Sequence, residues 1–243
     1  MTQQDLQSRK AGHIALVGAG PGARDLLTLR ALERIQSADV LLFDRLVDPE
    51  IMELASPRAE RIYVGKEVGR CAWPQGRIDR LIVAKARLGL RVVRLKSGDP
   101  SIFGRACEEI AAARAAGIEV EIVPGITAAS AAAASICHPL TERGETDTFA
   151  VTTGTCRPGD ANPDRARLAH PGTSMAFYMA VERAAVVRDD LIRAGAPAEC
   201  PVEIVASVST PQERHVSTTL GALGVRGWGG PGGVLLRSLD LRR

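Results

Sequence analysis

Residues 17–31 read VGAGPGARDLLTLRA, and this stretch decides how the rest of the chain is interpreted. The short apolar run 13–17 leads into it and predicts a buried strand. Gly18, Gly20 and Gly22 then permit a tight turn, and leucines at helical spacing predict an amphipathic helix after it. A strand, a glycine-rich turn and a helix N-terminus together suit a nucleotide-like ligand.

The glycine-rich turn is compatible with different functions. Gly18, Gly20 and Ala23 fit the permissive G-x-G-x-x-G/A pattern of dinucleotide-binding oxidoreductases. Pro21 and Asp25 oppose that interpretation, because proline removes a backbone donor and an aspartate at a helix start competes with a phosphate group. A tight turn that binds no ligand is the structural alternative.

Composition restricts the class of protein. The 243-residue chain has a net charge of +3 and five scattered cysteines. An odd number of cysteines predicts reduced thiols in a cytoplasm, and the polar N-terminal segment predicts no export. No apolar run is long enough to span a bilayer. The sequence has no CxxC or HxxxH pair, so we expect no metal site, and the mild charge gives no strong case for nucleic acid.

Strands and helices alternate through the first half of the chain, which predicts a mostly parallel sheet covered by helices. The expected strands are 13–18, 39–43, 60–64, 91–95 and 119–123, and the expected helices are 25–36, 48–55, 76–88, 104–116 and 127–136. The polar segment 139–148 breaks this rhythm and predicts a boundary between an N-terminal α/β domain (12–138) and a C-terminal α/β domain (139–243). In the second half we expect strands near 147–153, 173–179, 202–207, 212–218 and 233–239, and a helix near 182–194.

Four further segments follow predicted strands, and ligands bind beyond the carboxyl ends of strands in open α/β sheets. They are DRLV (44–47), VGKEVG (64–69), RLKSGDPSIFG (94–104) and VPGITAASA (123–131). Asp44 is well placed to act as a base, with a helix cap or a turn as the structural alternative. Lys66 can meet an anionic substrate or remain a solvated loop lysine. Asp99 can accept a hydrogen bond from an ammonium or a ribose hydroxyl.

Together these segments resemble the tetrapyrrole (corrin/porphyrin) methylase family. The resemblance extends from about residue 12 to about residue 214 and rests on GAGPG with LLTLRA, DRLV, VGK, RLKSGDPSIFGR, VPGITAASAAA, PLTER and FYM, in the family's order. It implies a two-domain α/β fold, each domain a sheet flanked by helices, with the active site in the cleft between them and S-adenosyl-L-methionine as methyl donor. It also accounts for Pro21, because the family's turn is Gly-Pro-Gly.

The resemblance implies roles for individual positions. Asp44 matches the family's proton acceptor and Lys66 its proton donor. The residues expected to contact the methyl donor are Pro21, Ser97, Gly98, Asp99, Ile102, Thr127, Ala128, Met179 and Val208. The arginines expected to bind substrate carboxylates are Arg45, Arg105 and Arg143. The acceptor that we expect is uroporphyrinogen III, methylated at C2 and C7 to precorrin-2 for sirohaem and cobalamin biosynthesis, and the resemblance implies a homodimer.

Some positions depart from the family's pattern. Ser97 stands where glycine is usual and fits if its φ is negative. Glu142 replaces a histidine and would repel a carboxylate-rich substrate unless it points away or pairs with Arg143. Val208 replaces a glycine expected to touch the donor. These departures leave open a methylase for a later corrinoid precursor and a non-catalytic homologue. The NAD-dependent oxidoreductase is the remaining alternative, and the later motifs disfavour it.

Overall fold

The structure, a computed structural model, describes residues 12–65, 73–155, 163–224 and 233–238. The chain divides into two compact units, Met1–Thr127 and Ala128–Arg243. The sequence placed this boundary after residue 138, so the prediction was about one helix too late. The reason is that the helix Ala128–Ser135 lies against a strand of the second unit, Gly233–Ser238.

The first unit alternates strands and helices as the sequence predicts. In chain order its elements are β1 (His13–Gly18), α1 (Leu29–Ser37), β2 (Val40–Phe43), α2 (Pro49–Glu53), β3 (Glu60–Tyr63), α3 (Gln75–Arg87), β4 (Arg91–Lys96), α4 (Ala106–Ala115) and β5 (Glu119–Val123). Apart from the start of α1, the element boundaries agree with the predicted ones to within two residues.

Within the described residues, the first sheet has five parallel strands in the order β3-β2-β4-β1-β5. After β1 and β2 the chain moves toward the β3 edge, whereas after β3 and β4 it moves toward the β5 edge. Since parallel crossovers are right-handed, the two groups of helices cover opposite faces of the sheet. One buried cluster accordingly contains residues of α1 and α2, and the other contains residues of α3 and α4. Neighbouring strands β1 and β4 are thus followed by helices on opposite faces, which opens a crevice at their carboxyl ends.

The three central strands β2, β4 and β1 are buried on both faces, so they carry nearly continuous apolar runs, whereas the edge strands β3 and β5 are partly exposed. Leu16 on β1, Leu41 on β2 and Leu95 on β4 are fully buried. Strand β4 is the exception to the apolar pattern, because Arg94 and Lys96 are also buried. Charged side chains in such a place need partners, and these partners define part of the candidate site.

Helix α1 begins at Leu29, four residues later than predicted. Arg24–Leu26 form one turn of 3-10 helix instead, and Thr28 has an extended backbone that starts the α-helix. The Thr28 hydroxyl accepts a hydrogen bond from the Ala31 amide at 3.1 Å, a cap of the kind that stabilises a helix by about 1 kcal/mol. Asp25 therefore lies in the 3-10 turn rather than at the start of α1.

The second unit contains a mixed sheet. In chain order its elements are α5 (Ala128–Ser135), β6 (Thr148–Thr153), β7 (Thr173–Tyr178), α6 (Ala184–Arg193), β8 (Pro201–Ala206), β9 (Arg214–Thr219) and β10 (Gly233–Ser238). In the described residues the strand order is β6-β7-β10-β8-β9. Strands β6 and β7 are parallel, and β10 runs antiparallel to both of its neighbours. This unit has its own buried core, which includes Phe177 and Leu191.

Among the described helices, none combines the length and the hydropathy that a bilayer crossing requires.

Candidate active site

The loops that follow β1 and β4 are joined by their backbones at the carboxyl edge of the first sheet. The Gly20 amide donates to the Gly98 carbonyl at 3.2 Å, and the Gly98 amide donates back at 2.6 Å. Both glycines have left-handed φ values, +69° and +71°, which other residues rarely adopt. The glycine-rich turn therefore contacts the predicted donor loop directly.

The loop after β5 meets the same two loops so closely that side chains are excluded. A Cβ atom on Gly18 would lie 2.6 Å from the Gly125 amide nitrogen and 2.7 Å from the Gly98 oxygen. A Cβ atom on Gly125 would lie 2.2 Å from the same Gly98 oxygen. Three strand ends therefore meet backbone against backbone at the crevice, and glycine is required there because a side chain would enter a neighbouring loop.

Asp99 holds this meeting point together. Its Oδ1 accepts from the amide of Ser101 at 2.7 Å and from the Ser101 hydroxyl. Its Oδ2 accepts from the Gly125 amide at 3.0 Å and has a second lone pair that can accept another hydrogen bond. Asp99 thus has a structural role that the sequence did not predict, and it keeps one acceptor position for a ligand hydroxyl or ammonium.

The rest of the loop after β4 combines half-buried side chains with backbone strain. Ser97 has no left-handed φ, which meets the condition set for a serine at this position. Ile102 is half-buried, as is Pro21 in the adjoining loop after β1. Phe103 and Arg105 have φ values of +50° and +55°. Strained non-glycine residues of this kind cluster at functional sites, so the strain supports a ligand-binding role for this loop.

Asp44 lies directly after β2, beside β4. Its Oδ1 accepts from the Leu46 amide at 3.1 Å, and its Oδ2 accepts from Nη2 of Arg94 at 3.1 Å. The N-cap of α2 is Asp48, whose carboxylate accepts from the Glu50 amide, so the helix-cap alternative for Asp44 was wrong. Asp44 does hold a turn, and 28% of its side chain is exposed, which leaves it accessible to a substrate.

Sequence reasoning missed the buried partners of Asp44. Nε of Arg94 lies 3.4 Å from Oε1 of Glu109 on α4, and Nζ of Lys96 lies 2.8 Å from Oε2 of the same carboxylate. We call Asp44, Arg94, Lys96 and Glu109 the buried charge cluster. Its formal charges cancel, and its most enclosed member, the Glu109 side chain, is 0% exposed.

Burial lowers the pKa of Lys96 below its ordinary value, while the nearby Glu109 carboxylate opposes this shift and Arg94 adds to it. Nζ of Lys96 also donates to the Gly104 carbonyl at 2.5 Å. A sequence signal for the cluster existed, since Arg94 and Lys96 alternate along a strand predicted to be buried and must share one face. That alternation requires an acidic partner on a covering helix.

The three predicted substrate arginines are distributed over both units. Arg45, next to Asp44, is exposed. Arg105 forms a two-pronged pair with Glu108 at 2.9 and 2.8 Å, and this hydrogen bonding raises its pKa. Arg143 is exposed in the second unit, in a turn closed by mutual backbone hydrogen bonds between Glu142 and Thr146. The Arg105 pair is largely exposed and therefore weak enough to exchange for a substrate carboxylate.

In the second unit, Ala128 and Met179 belong to segments that are in contact. The amide of Ala129, next to Ala128 in α5, donates to the Tyr178 hydroxyl at 2.9 Å. Met179 follows Tyr178 at the end of β7, has φ +52° and is 51% exposed. An exposed methionine on a strained backbone fits an apolar contact to a ligand.

Val208 is buried, and the residues on either side of it, rather than Val208 itself, have strained backbone angles. Ser207 and Ser209 have φ values of +51° and +60°, whereas Val208 itself has no left-handed φ. Replacement of the family's glycine by valine at this position thus adds no backbone strain at residue 208. Lys66, the predicted proton donor, lies outside the described residues.

A family model described as Tetrapyrrole (Corrin/Porphyrin) Methylases matches residues 13–224. The chain belongs to this family. A siroheme synthase from Tolumonas auensis is 44% identical over 209 residues, which make up 86% of this chain and 45% of that protein. The chain thus spans about half the length of the curated relatives that it matches.

Two solved structures of methylases are similar over nearly the whole chain. Uroporphyrin-III C-methyl transferase from Thermus thermophilus, complexed with S-adenyl homocysteine, has 37% identity and a TM-score of 0.80, covering 95% of this chain and 94% of that one. A cobalt precorrin-4 methyltransferase of cobalamin biosynthesis has 25% identity and a TM-score of 0.79, covering 100% and 99%. The predicted α/β methylase fold is therefore confirmed.

The structure does not support the dinucleotide-binding alternative. That fingerprint needs a helix N-terminus directly at the glycine turn, where the amides meet a pyrophosphate. In this methylase, α1 begins at Leu29, seven residues after Gly22. In the described ranges, no group of three or more histidine, cysteine, aspartate or glutamate side chains is arranged to hold a metal ion.

Proposed function

We propose that this chain transfers methyl groups from S-adenosyl-L-methionine to C2 and C7 of uroporphyrinogen III and releases precorrin-2. The observation that carries the proposal is the meeting of three glycine-lined strand ends beside Asp44. Membership of the methylase family supports it, as does similarity to the Thermus thermophilus uroporphyrin-III C-methyl transferase. Sirohaem and cobalamin biosynthesis are the pathways that such a product supplies.

The donor site that we propose draws on both units. Its residues in the first unit are Pro21, Ser97, Gly98, Asp99, Ile102 and Thr127, and those in the second are Ala128, Met179 and Val208. Gly18, Gly98 and Gly125, which we call the glycine cradle, hold the three loops together beside this site, and the second lone pair on Asp99 Oδ2 offers an acceptor to the donor. That these residues close around one cleft stays a prediction from the family resemblance.

When bound, S-adenosyl-L-methionine supplies an electrophilic methyl group on its sulfonium. The electron-rich pyrrole carbon of the substrate forms a carbon–carbon bond to this methyl group as the sulfur–carbon bond breaks, which leaves S-adenosyl-L-homocysteine. The chain contributes by holding both molecules in line, and such positioning supplies much of the acceleration in methyl transfer.

Asp44 is the residue that we propose to act on the macrocycle. Attack on the methyl group leaves a positive charge on the tetrapyrrole, which a carboxylate stabilises. The carboxylate then accepts the proton that the macrocycle must lose. Lys66 is the matching proton donor that we propose from the family resemblance, and its sequence position, twenty-two residues after Asp44, agrees with that pattern.

Arginines recognise the carboxylates of the substrate in this proposal. Uroporphyrinogen III carries eight carboxylates, and the planar guanidinium group matches their geometry. Arg45, Arg105 and Arg143 are the candidates, and Arg105 would exchange its contact with Glu108 for a substrate carboxylate. Glu142 is exposed next to Arg143, so its carboxylate can point into solvent and avoid the substrate.

A second substrate is supported by one observation, the similarity to a cobalt precorrin-4 methyltransferase. A methylase acting on a later corrinoid precursor would bind S-adenosyl-L-homocysteine but leave uroporphyrinogen III unmethylated. Incubation of the chain with S-adenosyl-L-methionine and either acceptor separates the two functions. We expect methylation of uroporphyrinogen III, and methylation of the corrinoid precursor alone would overturn the proposal.

The donor site is tested by filling the glycine cradle. Gly125→Ala forces a Cβ into the Gly98 oxygen, so the loops must separate, and we expect the affinity for S-adenosyl-L-homocysteine to fall by about tenfold or more, as misplacement of binding groups does. Gly76→Ala is the matched control, because its Cβ would meet only the end of Arg80 at 3.6 Å. Calorimetry that finds equal affinities for both variants would place the donor elsewhere.

We also propose that the chain acts as a cytoplasmic homodimer. The family resemblance implies the dimer, and the scattered cysteines agree with a reducing compartment. Light scattering on the purified chain tests the oligomeric state, and a monomer at assay concentrations would contradict this part of the proposal.

A further inference from the structure

The carboxylate of Asp44 is restrained at both of its oxygens. The Leu46 amide holds Oδ1 from within the turn after β2, and Arg94 holds Oδ2 from the neighbouring strand β4. Each carboxylate oxygen accepts two hydrogen bonds, so both keep a lone pair for a substrate. The hydrogen bond from Leu46 depends on the local turn, whereas the one from Arg94 links residues fifty positions apart and therefore depends on the fold.

The guanidinium of Arg94 is itself fixed. Its side chain is 7% exposed. Nη1 donates to the Leu95 carbonyl at 2.5 Å, Nη2 faces Asp44, and Nε lies beside Glu109. Glu109 in turn pairs with Lys96 and accepts a hydrogen bond from Nε2 of Gln75 at 3.3 Å. Two hydrogen bonds and one ion pair hold this planar group, so it cannot rotate without breaking one of them in the low-dielectric interior.

We propose that Arg94 is the positioning residue for Asp44. It acts through the carboxylate and does not touch the substrate, and Glu109 anchors its far side. This inference rests on the proposed function, because it gives Asp44 the role of proton acceptor. The buried charge cluster thereby has a role in the reaction as well as in the core, namely to align one carboxylate with the crevice.

A lysine cannot replace this arginine. The guanidinium spans Asp44, the Leu95 carbonyl and Glu109 with separate nitrogen atoms, whereas an ammonium offers one point of charge on a flexible stem. Arg94→Lys therefore keeps the cluster neutral but releases Asp44. Arg94→Gln removes the charge and keeps one donor nitrogen, so the two variants separate charge from geometry.

The first test compares turnover with binding. In both Arg94 variants we expect kcat to fall on the order of 10²-fold, the size of effect that misplacement of a catalytic group produces. The affinity for S-adenosyl-L-homocysteine and the KM for uroporphyrinogen III stay within about twofold of the wild type, because Arg94 touches neither molecule. Wild-type kcat in both variants would overturn the inference.

Arg91→Lys is the matched control. Arg91 starts the same strand at its other end and pairs with Asp39 at 2.8 Å, so kcat remains unchanged there. A double-mutant cycle then tests whether Arg94 acts through Asp44. Added to Asp44→Asn, the Arg94→Lys change has no further effect on kcat beyond about twofold, whereas independent roles would multiply the two reductions in kcat and contradict the inference.

A crystal structure of Arg94→Gln gives a readout that does not need turnover. We expect the Asp44 side chain to change its rotamer or to occupy two rotamers, so that the Leu46 amide no longer donates to it in every molecule. An unchanged Asp44 would overturn the inference whatever the substrate is.

The two proposals fail in different ways. If the wild-type protein does not methylate uroporphyrinogen III, the proposed function fails by itself. If the wild-type protein methylates it and Asp44→Asn is slow while both Arg94 variants turn over at the wild-type rate, only the positioning role fails.

Discussion

Arg94 in the first unit and Arg165 in the second are both buried arginines, yet they bind different kinds of partner. Arg165 is 0% exposed and pairs with Asp190 at 2.7 Å. Its Nη2 also donates to the carbonyls of Thr153 and Gly154 at 3.0 and 3.3 Å. Arg94 instead faces two carboxylates, one of which is the partly exposed Asp44.

The partners of a buried charge, rather than its burial, therefore indicate its role. Arg165 donates to backbone carbonyls at the end of β6 and to an aspartate on α6, so it links this strand end to this helix. Arg94 holds Asp44, a partly exposed carboxylate that follows β2 at the carboxyl edge of the sheet. Nε of both arginines has no hydrogen bond among the described residues. The presence of an unpaired nitrogen therefore does not distinguish the two roles.

The largest effect that we expect is on stability, at Arg165. Arg165→Met leaves Asp190 and two carbonyls without this donor, so the free energy of unfolding falls by about 3–5 kcal/mol. Thermal and urea denaturation measure it. Arg167→Met is the control, since Arg165 and Arg167 share the 3-10 turn Arg165–Leu168, Arg167 is 85% exposed, and its pair is worth at most about 1 kcal/mol. If the two variants were equally stable, Arg165 would not fasten this unit.

We expect a smaller, pH-dependent effect on stability from Lys96, which lies in the buried charge cluster with Arg94. Burial holds the pKa of Lys96 below its ordinary value, so the unfolded chain binds more protons than the folded chain between the two values. Stability therefore rises with pH in the range below about pH 10.4. Lys96→Met removes this contribution, and urea titrations between about pH 8 and pH 10 compare the two proteins.

The wild type should gain stability relative to Lys96→Met as the pH rises through that range. Parallel stability curves would show that Lys96 titrates normally and that the buried charge cluster is more solvated than its geometry indicates.

The smallest effect is at the other end of β4. The hydrogen bond from Arg91 holds the pKa of Asp39 below its ordinary value. This pair therefore contributes stability above the unfolded pKa, near about pH 4, and this contribution disappears as the pH falls through the folded value. The two side chains are 59% and 35% exposed, so screening limits the contribution to about 0.5 kcal/mol.

Asp39→Asn tests that contribution. The wild type is expected to be slightly more stable than the variant at about pH 7 and equal to it near about pH 2, as measured by denaturation at both pH values. A destabilisation at neutral pH as large as that of Arg165→Met would mean that exposed and buried pairs on these sheets are equivalent, and burial would then not distinguish them.

Much of this fold could be predicted from the sequence because its strands and helices have clear periods. The strands of the first unit follow from short apolar runs, and its parallel sheet follows from the alternation of strands and helices along the chain. The start of α1 was predicted four residues too early, since Leu26 of the 3-10 turn continues the helical spacing of the leucines after it, and the Thr28 cap marks where the α-helix begins. The unit boundary was placed late because an alanine-rich helix carries no signal of which core it joins.

The candidate site was predicted where it depends on motifs and missed where it depends on packing. Asp44 and the glycine turn are recognisable from strand ends. The alternation of Arg94 and Lys96 on a buried strand signals an acidic partner, but no local pattern identifies Glu109 on α4 as that partner. Asp99 was predicted as a ligand acceptor, and only the structure places one of its oxygens on the Gly125 amide.

The reaction of the purified chain with S-adenosyl-L-methionine and uroporphyrinogen III, followed by mass spectrometry of the tetrapyrrole, tests the proposed activity and the role of Asp44 together. We predict a product with two added methyl groups from the wild type, and a rate at least about 10²-fold lower from Asp44→Asn. An unmethylated tetrapyrrole, from protein that binds S-adenosyl-L-homocysteine, would contradict the proposed function.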